Sequence, residues 1–337
     1  MKDQFTFGKT IVFIGACIIV MVSFSLVNKP QYFDNQKSFS ISYGENLVSV
    51  AQRLKQEEYI SSGLIFQFYT RMVNKDTEIK AGVYTFSPPL SVKQIVELIT
   101  DNHTIQKTFL IKPGDTLFDI QKNLQKDKII SANISLEKWQ VKDFSKDPAY
   151  HSLFQGAPKD ASLEGYLFPD SYHLPSGLPE EEMINIFLNN FAVQVSPVYL
   201  SSVSREHNFY EILTMASLLE KEVQSSEDKA MIADILWRRL KINMPLQVDA
   251  AICYAQDKSF QNCQLTVDSF KIDSPYNLYQ YKGLPPTPIG NPGLESIKAA
   301  LNPQSNDYWY YLTDRETGKT IFSQTFEEHK AARRKYL

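Results

Sequence analysis

The spacing of apolar positions predicts a chain of alternating helices and short strands, and one helix stands out because its apolar stripe contains a carboxylate. Over Phe209–Val223 (F-Y-E-I-L-T-M-A-S-L-L-E-K-E-V), a step of about 100° per residue puts Phe209, Ile212, Leu213, Ala216, Leu219 and Val223 on one face. Glu220 falls inside that stripe, whereas Glu211, Lys221 and Glu222 point elsewhere, as a solvated face would. Desolvation disfavours an ionised carboxyl, so the pattern predicts a raised pKa for Glu220, as a general acid near neutral pH requires. A helix-edge glutamate that reaches solvent, or pairs with an arginine of the next helix, gives the same pattern. Periodicity alone leaves both readings open.

Other stretches have simpler periods. Thr10–Val27 is a run of 18 uncharged, mostly apolar residues, long enough to cross a bilayer. A cleaved signal peptide would end in an A-x-A-like site, and none follows. The reading is therefore a cytoplasmic tail (1–9), an uncleaved single-pass anchor (10–27) and a linker (28–37), with the bulk of the chain outside the cytoplasm. Phe39–Ser61 then aligns without gaps on Phe109–Ser131, matching at Phe39/Phe109, Ile41/Ile111, Gly44/Gly114, Leu47/Leu117, Leu54/Leu124, Ile60/Ile130 and Ser61/Ser131. Each copy reads as strand, glycine turn and helix. Between them lie a helix (62–74), a strand (81–86) and a helix N-capped by Ser91 (91–100). The unit resembles a LysM-like module, a fold associated with N-acetylated glycans; a plain spacer is the alternative. The boundaries are 38–105 for this domain, 106–161 for the second repeat copy and connector, and 162–337 for a distal α+β domain.

The distal domain is rich in proline, aromatic residues and acids. Ser162–Pro175 carries Glu164, Tyr166 and Asp170, which suit a sugar ring but equally suit a packed loop. A helix over 227–241 follows Ser225 and Asp228 as a capping pair. Three polar-aromatic loops, Met244–Asp249, Ser274–Tyr279 and Gly283–Pro292, have the stiff backbones of a preorganised groove. A helix over 294–301, a hairpin turning at Thr317-Gly318 and a final helix opened by Thr325 and Glu328 close the chain.

Composition narrows the chemistry. With 43% hydrophobic and 22% charged residues the chain is globular, and a net charge of −3 without a basic run argues against nucleic acid. The five histidines show no metal-ligand spacing and no phosphate-binding glycine loop is present, so neither metal nor cofactor is expected. Cys253 and Cys263 are either a disulfide, worth on the order of 3 kcal/mol, or two buried thiols.

Six motifs occur in order: L-E-G-Y-L-F-P-D-S-Y, A-S-L-L-E-K-E, Arg239-Leu240, M-P-L-Q-V-D, S-P-Y-N-L-Y and G-L-P-P-T-P-I-G-N-P. Together they resemble the YceG/MltG family of membrane-anchored endolytic murein transglycosylases. The resemblance implies that Glu220, the first Glu of E-K-E, is the catalytic acid and base. It implies that the polar loops, by Gln247, Asp249, Tyr276 and Asn277, line the glycan site, with Glu164 and Tyr166 as further candidates. It implies cleavage of the bond between N-acetylmuramic acid and N-acetylglucosamine to leave a 1,6-anhydro end, at the bacterial inner membrane, beside partners of the growth or division machinery. Val248 and Ala250 stand where the family has Ser or Thr and Pro, and Thr287 replaces the Gly of L-P-P-G-P. The alternatives are a muramidase-type hydrolase using Asp249 as second carboxylate, and a non-catalytic peptidoglycan-binding scaffold.

Overall fold

A computed structural model describes residues 25, 27–32, 37–41, 45–100, 106–130, 134–175, 178–202, 206–257, 259–260, 263–314 and 316–337. The expected tail and nearly all of the expected anchor lie outside these. No helix among the described residues is long and apolar enough to cross a membrane. The architecture is α+β, and the chain divides into two compact units: residues 1–108 with 173–182, and residues 109–172 with 183–337.

In the first unit, strands β1 (Lys37–Ile41) and β2 (Gly82–Phe86) pair antiparallel, with Phe39 opposite Tyr84. Helices α1 (Leu47–Gln56) and α2 (Gly63–Met72) lie between them in sequence, and α3 (Val92–Thr100) follows. Alternation puts Phe39, Ile41, Tyr84 and Phe86 on the inner face. Phe39, Tyr59 and Phe86 interlock there with ring centroids 5.1–5.9 Å apart. Gly63 opens α2 because a Cβ at that position would lie 3.0 Å from the Ala51 carbonyl of α1. Gln31 bridges to Leu90, so part of the expected linker is tied to this unit.

The repeat survives in geometry as well as in sequence. Helix α4 (Leu117–Lys126), in the second unit, has the bounds of α1 shifted by the repeat offset. Both helices end the same way: Glu58 and Lys128 take left-handed φ of 65° and 54°, and Tyr59 and Ile129 return their amides to Leu54 and Leu124 at 2.9 Å. The first copy continues into α2. The second continues into a 3-10 turn (Leu136–Lys138) and the short α5 (Val141–Phe144). Strand β3 (Gln106–Leu110), which precedes α4, pairs with β4 (Ser171–Pro175).

The second unit is built around α7 (Phe209–Glu222). Its neighbours include α6 (Glu180–Ser201), a helix the sequence pattern left unassigned, α8 (Ser226–Lys241), α9 (Asp249–Asp257) and α10 (Leu294–Leu301). Helix α10 packs on both α7 and α8. Instead of one buried stripe, α7 is buried from Phe209 through Leu219 except for Glu211, the signature of a central helix. Ser225 caps α8, but Asp228 turns to accept from the Thr320 hydroxyl at 2.7 Å. The hairpin of β5 (Tyr310–Thr313) and β6 (Thr320–Ser323) turns at Gly318, and Thr325 and Glu328 box the start of α11 (Phe326–Tyr336).

Two loops of this unit meet backbone to backbone. Gly114 donates its amide to the Asn291 carbonyl at 2.7 Å, and Asn291 donates its own to Asp115 at 2.9 Å. A Cβ on Gly290 would stand 2.7 Å from the Gly114 carbonyl oxygen, so only glycine permits the approach. Replacing Gly290 by Ala is expected to lower stability by about 2 kcal/mol, read as a lower denaturant midpoint with an unchanged slope.

Candidate active site

Two glutamates end α7, and their surroundings differ. The Glu220 side chain is 11% exposed and its carboxylate is fully engaged. Oε1 accepts from Lys229 Nζ at 3.1 Å; Oε2 accepts from the Gly293 amide at 2.8 Å and the Ser296 hydroxyl at 2.7 Å. Lys229, on α8, is itself only 6% exposed along its side chain. Glu220 is buried as the stripe implied, but it is not alone: it is paired with a cation of the next helix. The group holds the start of α10 against the end of α7.

Glu222 is the last residue of α7 and is partly exposed. Burial raises its pKa to about 7, and the charge of Asp249 adds to the rise. A hydrogen bond with Tyr311 and the charge of Arg239 act in the opposite sense. The partial negative charge of the helix C-terminus also opposes a second anion there. Tyr311, on β5, is held neutral by burial and by the charge of Glu222. The sequence pattern put Glu222 on a solvated face. The structure leaves it partly exposed, with Tyr311 of the β5–β6 hairpin and the charges of Asp249 and Arg239 acting on it.

Between the two glutamates, Lys221 points a third way. Its stem lies over Gly114, where a Cβ would come within 2.7 Å, and its ammonium sits 3.8 Å from the Phe260 ring centre. Burial lowers its pKa, opposed by Asp115 and Asp119. Phe260 belongs to the loop closed by a Cys253–Cys263 disulfide, the first of the two alternatives weighed for that pair.

Two motif loops meet at Asp249, whose charge acts on Glu222. Gln247, exposed and at φ +57°, donates its backbone amide to Leu278 at 3.1 Å, which zips the Q-V-D loop to the Y-N-L-Y loop. Asn277 is fully buried. It donates to the Phe270 and Ile272 carbonyls at 3.0 and 2.9 Å and accepts from the Tyr279 amide. Tyr279 is thereby held so that its hydroxyl reaches Asp249 at 2.5 Å. Burial and this hydrogen bond raise the Tyr279 pKa. Arg239 is buried and donates to the carbonyls of Trp309 and Leu246, binding the hairpin to the Q-V-D loop.

Other candidates lie deeper. Tyr166 is fully buried among Phe154 and Phe191. Glu164 is 2% exposed and accepts from the Leu117 amide, the Tyr254 hydroxyl and the Asn291 amide group. Neither presents a surface to a sugar. Asn277 likewise positions Tyr279 instead of facing out. Tyr276 is partly buried, its hydroxyl 2.8 Å from that of Thr287, so the threonine that replaces the family glycine gives this ring a fixed partner. Gln247 and Asp249 remain exposed, and the charge of Asp249 acts on Glu222. Tyr279, Tyr311 and Glu222 are the site residues that sequence reasoning passed over; Tyr279 lay within a motif already singled out.

Fold and cluster define an α+β protein in which a carboxyl of raised pKa stands at a helix end near the exposed Asp249, the equipment of acid–base chemistry. The chain belongs to the YceG-like family, whose sequence profile matches residues 39–335. Endolytic murein transglycosylases of Streptococcus pneumoniae are 33% identical over 310 residues, covering 86% of this chain and 56% of theirs. This chain thus spans little more than half the length of those relatives. The endolytic murein transglycosylase of Bacillus subtilis is 30% identical over 311 residues, covering 89% of this chain and 84% of its own. A crystal structure of a YceG-like protein from Listeria monocytogenes, 29% identical, covers 89% of this chain and 99% of its own with a TM-score of 0.55.

Two substitutions separate the glutamates thermodynamically. A carboxyl with a folded pKa above its unfolded one binds extra protons when folded, so its contribution to stability is lost as pH rises through about 7. Glu222→Gln is therefore expected to raise stability at pH 8 by on the order of 2 kcal/mol and to change it little at pH 4. Glu220→Gln leaves Lys229 buried without its counter-charge and should cost about 3 kcal/mol. Thermal melts at both pH values test the pair, and equal, pH-independent effects would contradict the assignment.

Proposed function

We propose that this protein is a lytic transglycosylase of peptidoglycan and that Glu222 is its acid and base. What supports the reading is the cluster at the end of α7, where Glu222 meets Tyr311 and the charges of Asp249 and Arg239, and where burial raises its pKa to about 7, in the range of a group that lends and reclaims a proton. The motif resemblance implies Glu220 instead, whose oxygens accept from Lys229, Gly293 and Ser296; it is the second reading, and the two Glu→Gln variants below separate it from the first. The murein transglycosylase names of the relatives support the substrate and the reaction.

In this reading, protonated Glu222 donates to the oxygen linking N-acetylmuramic acid to N-acetylglucosamine, and the bond from C1 to that oxygen breaks. The Glu222 carboxylate then takes the proton of the muramyl C6 hydroxyl, whose oxygen bonds to C1. The products are a strand with a free N-acetylglucosamine 4-hydroxyl and a strand ending in 1,6-anhydro-N-acetylmuramic acid. No water enters, so no second carboxylate is required to activate one. Asp249, held by Tyr279, keeps the Glu222 pKa high through its charge and stands with Gln247 where polar groups can meet the sugar. Residues 10–27 serve as a single-pass anchor in the bacterial inner membrane with the remainder outside the cytoplasm, and the β-α-α-β portion of the first unit serves as a LysM-like glycan module. Partners in wall synthesis or division fit that placement.

Mass spectrometry of products from isolated glycan strands tests the mechanism. Wild type should release anhydro-muropeptides, each lighter by one water than a hydrolase product. Glu222→Gln should reduce release by at least about a thousandfold while Glu220→Gln, assayed below its melting temperature, keeps most of it. Reducing ends would identify a hydrolase, and full activity in the Glu222 variant would sink the assignment. In the wild type, kcat/KM should fall as pH rises through about 7, because the protonated form starts the reaction.

A further inference from the structure

The second unit contains a cavity of about 630 Å³ that the acid–base cluster does not use. Its walls come from the first half of α7, the end of α8, the loop at Gly283–Pro285 and the end of α10. Among the lining residues of α7, Thr214 lies closest in sequence to Glu222, eight residues before it, or about 12 Å along the helix axis. At this size the cavity takes a small molecule or a few residues of a polymer.

Its charges sort themselves by pairing. Asp234 is bound to Arg238 at 2.9 Å, and Glu211 lies 3.7 Å from His207. His207 stacks on Trp237 with centroids 3.7 Å apart and planes 9° apart, and the indole N–H donates to the Ala300 carbonyl at 3.1 Å. The indole therefore has one face and its only donor already in use, which leaves little of it for a sugar ring. Two charges remain: Glu206 and Lys241, both exposed and without a partner among the described residues. Leu284, Pro285 and Leu301 add apolar wall to the same cavity. At Gly283, φ +99°, a Cβ would meet nothing within 4 Å, so the mouth is open on that side.

One free anion, one free cation and apolar wall in one cavity suit a ligand with an amine, a carboxylate and small aliphatic side chains. Glycan strands carry hydroxyl and N-acetyl groups and satisfy neither charge. We propose that this cavity binds the peptide stem of the wall polymer, with Lys241 facing a stem carboxylate and Glu206 facing the amine of its diamino acid. The proposal rests on the peptidoglycan reading above and adds a specificity site to it: one helix bears the acid at its end and the peptide site along its first half.

The test uses the full chain in nanodiscs with its tryptophan indoles labelled for NMR. The probes are the synthetic tetrapeptide alanyl-γ-glutamyl-lysyl-alanine and, as the sugar control, chitotetraose. The tetrapeptide is expected to shift the Trp237 resonance and chitotetraose to leave it in place. Lys241→Glu should weaken the tetrapeptide about fivefold, as loss of a rim charge does. In turnover, that variant should raise KM about fivefold on stem-bearing strands, with kcat unchanged, and match wild type on strands stripped by an amidase. No peptide-induced shift, a shift with chitotetraose, or an equal loss on both strand types would each overturn the proposal. Should wild type cleave neither strand while the tetrapeptide still moves Trp237, the peptide site stands and the lytic reading falls.

Discussion

A buried carboxylate holds the second unit together. Glu164 accepts from the amide at the start of α4, from the Tyr254 hydroxyl on α9 and from the Asn291 side chain, all away from solvent. Asn291 extends the network by accepting from the Leu167 amide at 2.8 Å and donating to the Asp115 carbonyl at 2.8 Å. A buried carboxyl needs partners for its oxygens, and here a helix N-terminus supplies both an amide and a favourable dipole. Segments far apart in sequence, near residues 115, 164, 254 and 291, are thereby fixed to one point. The loops bearing Asp249 and Tyr279 and the turn held by Glu220 build outward from it.

That network explains what several motifs are for. L-E-G-Y-L-F contributes Glu164 to the interior and Tyr166 to an aromatic layer; I-G-N-P contributes a glycine that admits a carbonyl and an asparagine with four protein partners. Acids and aromatic rings in proline-rich sequence looked like a sugar-binding surface, yet much of this set is scaffold. The working surface is smaller: Glu222, Asp249 and Gln247, backed by Tyr279 and Tyr311.

Local features were legible in the sequence because their causes are local. The repeat, the caps at Ser91, Ser225 and Thr325, the hairpin at Gly318 and most helix bounds follow from periodicity and turn chemistry, and the structure reproduces them. The environments of Glu220 and Glu222 were not legible, since an apolar stripe predicts burial only for a helix packed on one side. Once α8, α10 and the β5–β6 hairpin enclose α7, the angle of a residue from the stripe no longer tells wet from dry. The long helix α6 escaped for a related reason: its polar and apolar residues keep no clean period, and Pro197 sits inside it.

Glu220, Lys221 and Glu222 leave one helix end about 100° apart and touch three separate neighbours: the turn at Gly293, the turn at Gly114 and the hairpin at Tyr311. The terminus works as a three-way joint whose arms cannot rotate independently. Slack introduced at any one arm turns the other two, so the reactivity of the last carboxyl depends on loops it never meets.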